Sequence, residues 1–393
     1  MIFRSVFADL HIHIGRTESG LPVKITAARN LTFRNIIREA HHRKGLRLIG
    51  IIDAHSPPVQ EEIRQMLAAG ELREHPDGGL VYGDTVCIPG AEIEVKEEGT
   101  GPAHVLVYFP HLETMERFTA WCARHMTNVR LSTQRLYRPV RELQKKTKEW
   151  GGLFIPAHVF TPFKSLYGSA VDRMDELLDP DLVHAVELGL SSDSEMADHV
   201  PELARFTFVT DSDAHSLPKI GREYNELWMK EPSFRELRLA LERREGRRVK
   251  ANYGLDPRLG KYYRTRCKAC GELWSEASGA CCPSCGSGKK VTGVRDRILS
   301  IGNRESRSPE HRPPYVRQVP LEFIPGLGRK TLDKLLDVFG TEMDVLHRAS
   351  VEEIGRVVGE DLAGLIGRSR EGKLRLEEGG GGEYGRVSKM ETT

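Results

Sequence analysis

The sequence predicts an α/β domain followed by two small modules, and three observations carry that prediction. Across roughly the first 230 residues, short apolar runs alternate with amphipathic stretches. Five of the seven cysteines crowd between Cys267 and Cys285. Behind a Pro/Arg/Ser-rich segment, the stretch from Leu321 to about Ile366 reads as compact helices. Repeated strand–helix units build a largely parallel sheet, open or closed into a barrel.

Seven strands are expected: Val6 to Leu10, Leu46 to Ile52, Thr85 to Ile88, Val105 to Phe109, Gly152 to Ile155, Ala185 to Leu188 and Phe206 to Thr210. The first helix should start on Thr32 as its cap, carry Ile36, Ile37 and Ala40 on one face, and stop at Gly45. The divisions implied are 1–246 for the α/β domain, 247–301 for the cysteine module, 302–318 for a linker, and 319–393 for the helical module with its Gly-rich tail, Gly379 to Gly385.

Composition narrows the function classes. The 393 residues are 39% hydrophobic and 29% charged, enough for a sizeable core and two or three domains. No long apolar run offers a membrane span, and Arg4 and Asp9 interrupt the start too early for a secretory signal, so a cytoplasmic, nucleoid-associated protein is expected. The net charge of +2 hides an asymmetry. Between Lys250 and Gln318 stand 14 Lys and Arg against 6 Asp and Glu, a formal +8, which leaves the rest of the chain near −6. One region is therefore suited to a polyanion, with a solvated linker as the plain alternative.

Histidines and acids recur at the ends of the expected strands. His11 and His13 stand two apart after the first strand, so on extended backbone they share a face. His55 follows the second in Asp53-Ala54-His55, and Glu92 follows the third. His104 opens the fourth, His158 ends the fifth, and Asp213 and His215 follow the last. A lone strand-end histidine is more often a packing residue, and His41, His42, His75, His111, His125, His184 and His199 receive that reading. Eight donors converging at one end of a sheet can instead hold two to three divalent ions (Zn, Mn or Mg), which activate water and offset phosphoryl charge. His11, His13, Asp213 and His215 are the expected catalytic set.

Two further motifs carry chemistry. Cys267-x-x-Cys270-Gly271 and Cys282-x-x-Cys285-Gly286 are paired knuckles suited to one structural zinc, closed and non-catalytic; Cys281 lacks the spacing. Pro325-Gly326-Leu327-Gly328-Arg329-Lys330 enters a helix, where backbone N–H groups and two cations can meet phosphate. With Phe339-Gly340, Leu346, Ala349, Ser350, Glu353 and Ile354 behind it, this stretch resembles the helix-hairpin-helix modules that bind the DNA backbone. Gly326, Gly328, Arg329 and Lys330 are the expected contacts.

The first domain resembles the PHP family (polymerase and histidinol phosphatase) through His11-x-His13, the histidine of Asp53-Ala54-His55, Glu92 and Ser212-Asp213-Ala214-His215, with His104 and His158 in the family's intervening positions. The resemblance implies a distorted seven-stranded β/α barrel with a trinuclear metal site for phosphoester hydrolysis. One departure stands out: where the family has a further His or Asp, this chain reads Gly15-Arg16-Thr17-Glu18-Ser19. Barrel, ribbon and hairpin in this order, with Val186 to Asp193, Ile220-Gly221-Arg222-Glu223 and Tyr384, resemble the endonuclease Q family. That implies metal-dependent cleavage of lesion-containing DNA, duplex or single-stranded, on the 5′ side of uracil, hypoxanthine, xanthine or an abasic site, leaving a 3′-hydroxyl. A phosphatase for a small phosphomonoester and a non-catalytic DNA-binding subunit are the competing readings.

Overall fold

All seven expected strands form, but the sheet around them is mixed, not largely parallel. The computed structural model describes residues 2–274, 279–303, 305–374, 376–379 and 382–387. Arg304 of the linker, Gly380 and Gly381 of the Gly-rich tail, and residues 388–393 lie outside them.

In chain order, β1 (Arg4–Ile12) leads to α1 (Phe33–Arg38), β2 (Leu48–Ile51), α2 (Pro57–Ala68), β3 (Arg73–Glu74), β4 (Leu80–Tyr82), β5 (Thr85–Val95) and β6 (Ala103–Tyr108). Next come α3 (Leu112–Cys122), α4 (Val140–Glu149), β7 (Leu153–Pro156), β8 (Val186–Glu187), α5 (Ser194–Ala197) and β9 (Phe208–Val209). They are followed by β10 (Tyr224–Met229), α6 (Phe234–Leu241) and β11 (Arg248–Gly254). The cap of α1 is as expected: the Thr32 hydroxyl accepts from Asn35 N, a π-helical turn extends the helix to Lys44, and Gly45 ends it at φ +79°.

Strands β1, β2 and the first half of β5 run parallel. Past Pro89, β5 leaves β2 and pairs antiparallel with β6, which pairs antiparallel with β7. On the other side of β1, β10 and β11 add antiparallel ladders. Strands β8 and β9 form a separate parallel pair. It is joined to β7 by the bonds His184 N to Phe154 O and Val159 N to Glu187 O, and to β1 by Leu10 N to the Asp211 carboxylate. Val6, Ala8, Leu10, Leu48, Val86, Leu106, Leu153 and Val209, with Phe234 and Leu237 of α6, share one apolar core. Burial of this kind stabilises by about 25 cal/mol per Å².

The later segments are woven into the first. Strand β11, which composition places in the cysteine module, extends the main sheet. After β12 (Arg266–Cys267), β13 (Lys290–Val291) and α7 (Val294–Ile301), β14 (Tyr315–Arg317) pairs parallel with β11. The helices α8 (Arg329–Phe339), α9 (Glu342–His347), α10 (Val351–Val358) and α11 (Glu360–Arg370) pack on the flank of the sheet. Leu335, Met343 and Leu346 join the same core as Ile36, Ile37 and Leu46. His347 stacks on Phe7 at 4.3 Å and bonds the Tyr224 hydroxyl at 2.7 Å. A tail hairpin of β15 (Leu376–Glu377) and β16 (Arg386–Val387) closes the described chain. Among the described residues no helix is long and apolar enough to cross a membrane.

Candidate functional site

The end of β1 is locked to the loop after β9 by His13 N to Ala214 O and Ala214 N to His11 O, both 3.1 Å. Glu92 N bonds Ile52 O at 2.8 Å, which brings the middle of β5 to the same place. His11 and His13 thus meet Asp213 and Glu92. The Nε2 atoms of both histidines lie 3.4 Å from Asp213 Oδ1, and 3.7 and 3.6 Å from the two Glu92 oxygens. Four ligands at about 2.1 Å around a tetrahedral ion stand about 3.4 Å apart, so these donors fit one shell. A second group shares Glu92: its Oε1 is 2.9 Å from His104 Nδ1 and 3.3 Å from His158 Nε2. His11 Nε2 and both ring nitrogens of His104 are buried without a hydrogen-bond partner, as expected of lone pairs that point at a cation.

Glu92 lies inside β5, not after a strand as expected, and His104 opens an antiparallel strand. His215 belongs to a third donor group, with His13 and Asp213. His55 is buried but belongs to none of the donor groups among the described residues; its Nε2 stands 3.3 Å from the Leu131 carbonyl. Glu18 pairs with Arg34 at 2.8 Å and lies away from the cluster's cavity.

Sequence reasoning passed over the carboxylates behind the ligands. Glu187 holds His11 Nδ1 at 2.8 Å and also accepts from His158 N; Asp53 holds His13 Nδ1 at 3.0 Å and accepts from Ile14 N. Each fixes its imidazole with Nε2 facing the ion position. A single carboxylate in the apolar run Ala185 to Leu188 was the available signal for Glu187.

The electrostatics favour cations. Burial works against the His11 imidazolium, but Glu187, Asp213 and Glu92 outweigh it and raise its pKa to about 10. Burial would raise Asp53, yet His13 and Lys24 bring it down to about 2. Against its own desolvation, Glu92 is held well below the ordinary glutamate range by His104 and Lys24. Asp213 (φ +46°) and His158 (φ +31°) both sit in the left-handed region, backbone strain concentrated at the cluster.

The cluster opens on a cavity of about 640 Å³. Its outer wall is cationic and aromatic: Lys219, Arg222, Lys261, Phe163, Tyr262 and Tyr384. Tyr262 and Lys261 lie at the root of the cysteine module, and Tyr384 comes from the tail.

The four cysteines assemble as the spacing predicts. Cys267 Sγ is 3.6 Å from Cys285 Sγ, and Cys270 Sγ is 3.6 Å from Cys282 Sγ, close to the edge of about 3.8 Å that a tetrahedral zinc–thiolate site has. Gly271 (φ +76°) and Gly286 (φ +71°) turn each knuckle in a conformation that suits glycine. Cys281 stays outside the group. At the start of α8, Gly326, Gly328, Arg329 and Lys330 are all exposed, and the N-cap Gly328 brings no side-chain bond to the first turn.

No family model matches the chain. It is 50% identical over 387 residues to the uncharacterized protein YqxK of Bacillus subtilis, covering 98% of this chain and 99% of that one. The crystal structure of the lesion-specific endonuclease PfuEndoQ from Pyrococcus furiosus matches with a TM-score of 0.85 and 33% identity, over 98% of this chain and 95% of the other. A crystal structure of endonuclease Q with a 27-mer duplex carrying an abasic lesion at the active site matches with a TM-score of 0.85 and 32% identity, over 99% and 97% of the two chains. With relatives this similar along nearly its whole length, the chain belongs to the endonuclease Q family.

Proposed function

We propose that this protein is a metal-dependent DNA repair endonuclease that cleaves the phosphodiester 5′ to a deaminated base or an abasic site. The observation that carries the reading is the donor shell of His11, His13, Glu92 and Asp213, which opens on a cavity with a cationic and aromatic far wall. In its relative, a duplex places an abasic lesion at the corresponding centre of the enzyme, the active site.

The strands β1, β2, β5, β6, β7, β8 and β9 are read as the staves of a distorted seven-stranded PHP barrel. Zinc or manganese suits the mixed nitrogen and oxygen donors, and one structural zinc suits the four thiolates. When bound, divalent ions lower the pKa of water and offset charge on the phosphate under attack. The chain's own residues do the rest. Glu187 and Asp53 keep two imidazoles in the required tautomer, while Lys219, Arg222 and Lys261 face the strand's phosphates. Phe163, Tyr262 and Tyr384 offer apolar surface to an extruded nucleotide, at an unstacking cost of a few kcal/mol. Gly326, Gly328, Arg329 and Lys330, read as a helix-hairpin-helix contact, grip the backbone without reading bases. A soluble, nucleoid-associated location follows from that partner.

The test is cleavage of end-labelled duplexes that hold one uracil, one hypoxanthine, one abasic site or no lesion, with and without chelator. Chelator-sensitive nicking confined to the lesion duplexes supports the reading. Turnover of small phosphomonoesters with no nicking refutes it.

A further inference from the structure

Of the eight expected ligands, the two donor shells use six: His11, His13, Glu92 and Asp213 around one position, and Glu92, His104 and His158 around the other. That leaves little for a third ion. His55 spends its Nε2 on the Leu131 carbonyl, and Glu18 is bound to Arg34. His215 joins only a group that reuses His13 and Asp213.

A lysine stands beside the cluster instead. Lys24 Nζ is 3.4 Å from Glu92 Oε2 and 2.6 Å from Thr133 Oγ1, and the side chain lines the cavity while only 16% exposed. Its backbone is pinned directly behind His13, with Lys24 N to Ile14 O at 2.9 Å and Val23 N to Gly15 O at 3.0 Å. Thr133 sits at φ +55°, an outlier for a β-branched residue. That conformation puts its hydroxyl between the two partners: it donates to Glu92 Oε2 at 2.5 Å and accepts from Lys24. The strain at Thr133 thus fixes a cation in a set place.

We propose that Lys24 is a built-in cation of the site: two metal ions occupy the donor cluster, and the Lys24 ammonium takes the place of a third and faces the scissile phosphate. The phosphate's identity rests on the nuclease reading above; the ion count does not. An ammonium is a compact charge well suited to phosphate, and among Glu92 and its neighbours it repels another dication. Thr133 acts through Lys24 and is a positioning residue.

The experiment counts ions on the full-length, manganese- and zinc-loaded protein by native mass spectrometry, and follows single-turnover cleavage of an abasic duplex. Wild type should carry three ions per chain, two at the cluster and one on the cysteines. Lys24→Met should keep all three yet cleave about 100-fold more slowly, the loss expected when one preorganised donor to a reacting phosphate is removed. Thr133→Ala should slow cleavage and Thr133→Ser should restore it. Four ions on wild type would overturn the proposal, as would wild-type cleavage by Lys24→Met or loss of an ion from it. If wild type cleaves no lesion duplex, the nuclease reading falls, and the ion count still decides whether Lys24 replaces a third metal.

Discussion

The Tyr384 hydroxyl accepts a hydrogen bond from Arg222 Nη1 at 2.9 Å, which ties the C-terminal tail to the catalytic end of the barrel. Arg222 Nε in turn donates to the Ser212 carbonyl at 2.8 Å, next to the strained Asp213. The tail itself is fixed by Gly379 N to Arg258 O and Gly385 N to Leu259 O. A segment that reads as low-complexity sequence thereby braces the turn that aims a metal ligand.

Tyr384→Phe keeps the ring on the cavity wall and removes the bond. It should lower kcat about fivefold, the equivalent of about 1 kcal/mol, with KM unchanged. Steady-state kinetics on an abasic duplex check this. A higher KM at unchanged kcat would make Tyr384 a substrate contact and not a brace.

Glu187 and Asp53 should govern metal affinity. Glu187→Gln and Asp53→Asn retain an acceptor for the imidazole but lose the charge, so affinity should fall about 10- to 100-fold. Titration of the full chain with manganese, followed by calorimetry, measures it. Unchanged affinity in both variants would contradict the tautomer-fixing role.

The cysteine module depends on its ion. Cys285→Ser should remove one zinc per chain and unfold a segment whose described core comprises Cys267, Trp274 and Cys282. Metal content and limited proteolysis report it. Zinc retained at the wild-type level would sink the four-cysteine assignment.

Glu223 gives the fold a pH dependence. Buried between the Thr210 hydroxyl and Leu255 N, its carboxyl is pushed up to about 7 by desolvation. The unfolded carboxyl ionises near 4.5, so between 4.5 and 7 the folded chain holds a proton that the unfolded chain has lost. Stability therefore falls as pH rises through that window and levels off above it. Glu223→Gln removes this term and should gain about 2 kcal/mol on wild type between pH 5.5 and 8, at about 1.4 kcal/mol per unit. Urea unfolding at the two pH values checks it; parallel pH profiles would contradict the buried, protonated state.

The seven strand centres and the α1 cap were legible because apolar runs and capping chemistry are local signals. Strands β10 and β11 were not, because Asn225, Glu226 and Asn252 break the apolar pattern. The structure pays for two of them with side-chain bonds: Asn225 to Thr210 and Asp211, and Asn252 to Asn225 and Phe208 O. The antiparallel turn of β5 onto β6 depends on pairing between distant segments, so the sequence suggested more parallel order than exists. Within the site, histidines announce themselves by type and spacing. Lys24, Thr133 and Glu187 act through contacts tens to hundreds of residues apart in the chain, which no local pattern records. The docking of α9 through His347 on Phe7 was hidden for the same reason.

The most direct test of the central claim compares wild type with Asp213→Asn in single-turnover cleavage of an abasic duplex, with binding to that duplex measured on the same preparations. If Asp213 completes the shell with His11, His13 and Glu92, cleavage should vanish while binding stays within about threefold, since the phosphate grips lie elsewhere. Cleavage at the wild-type rate by Asp213→Asn would contradict the account, and binding lost in step with cleavage would show that Asp213 maintains the fold instead of the chemistry.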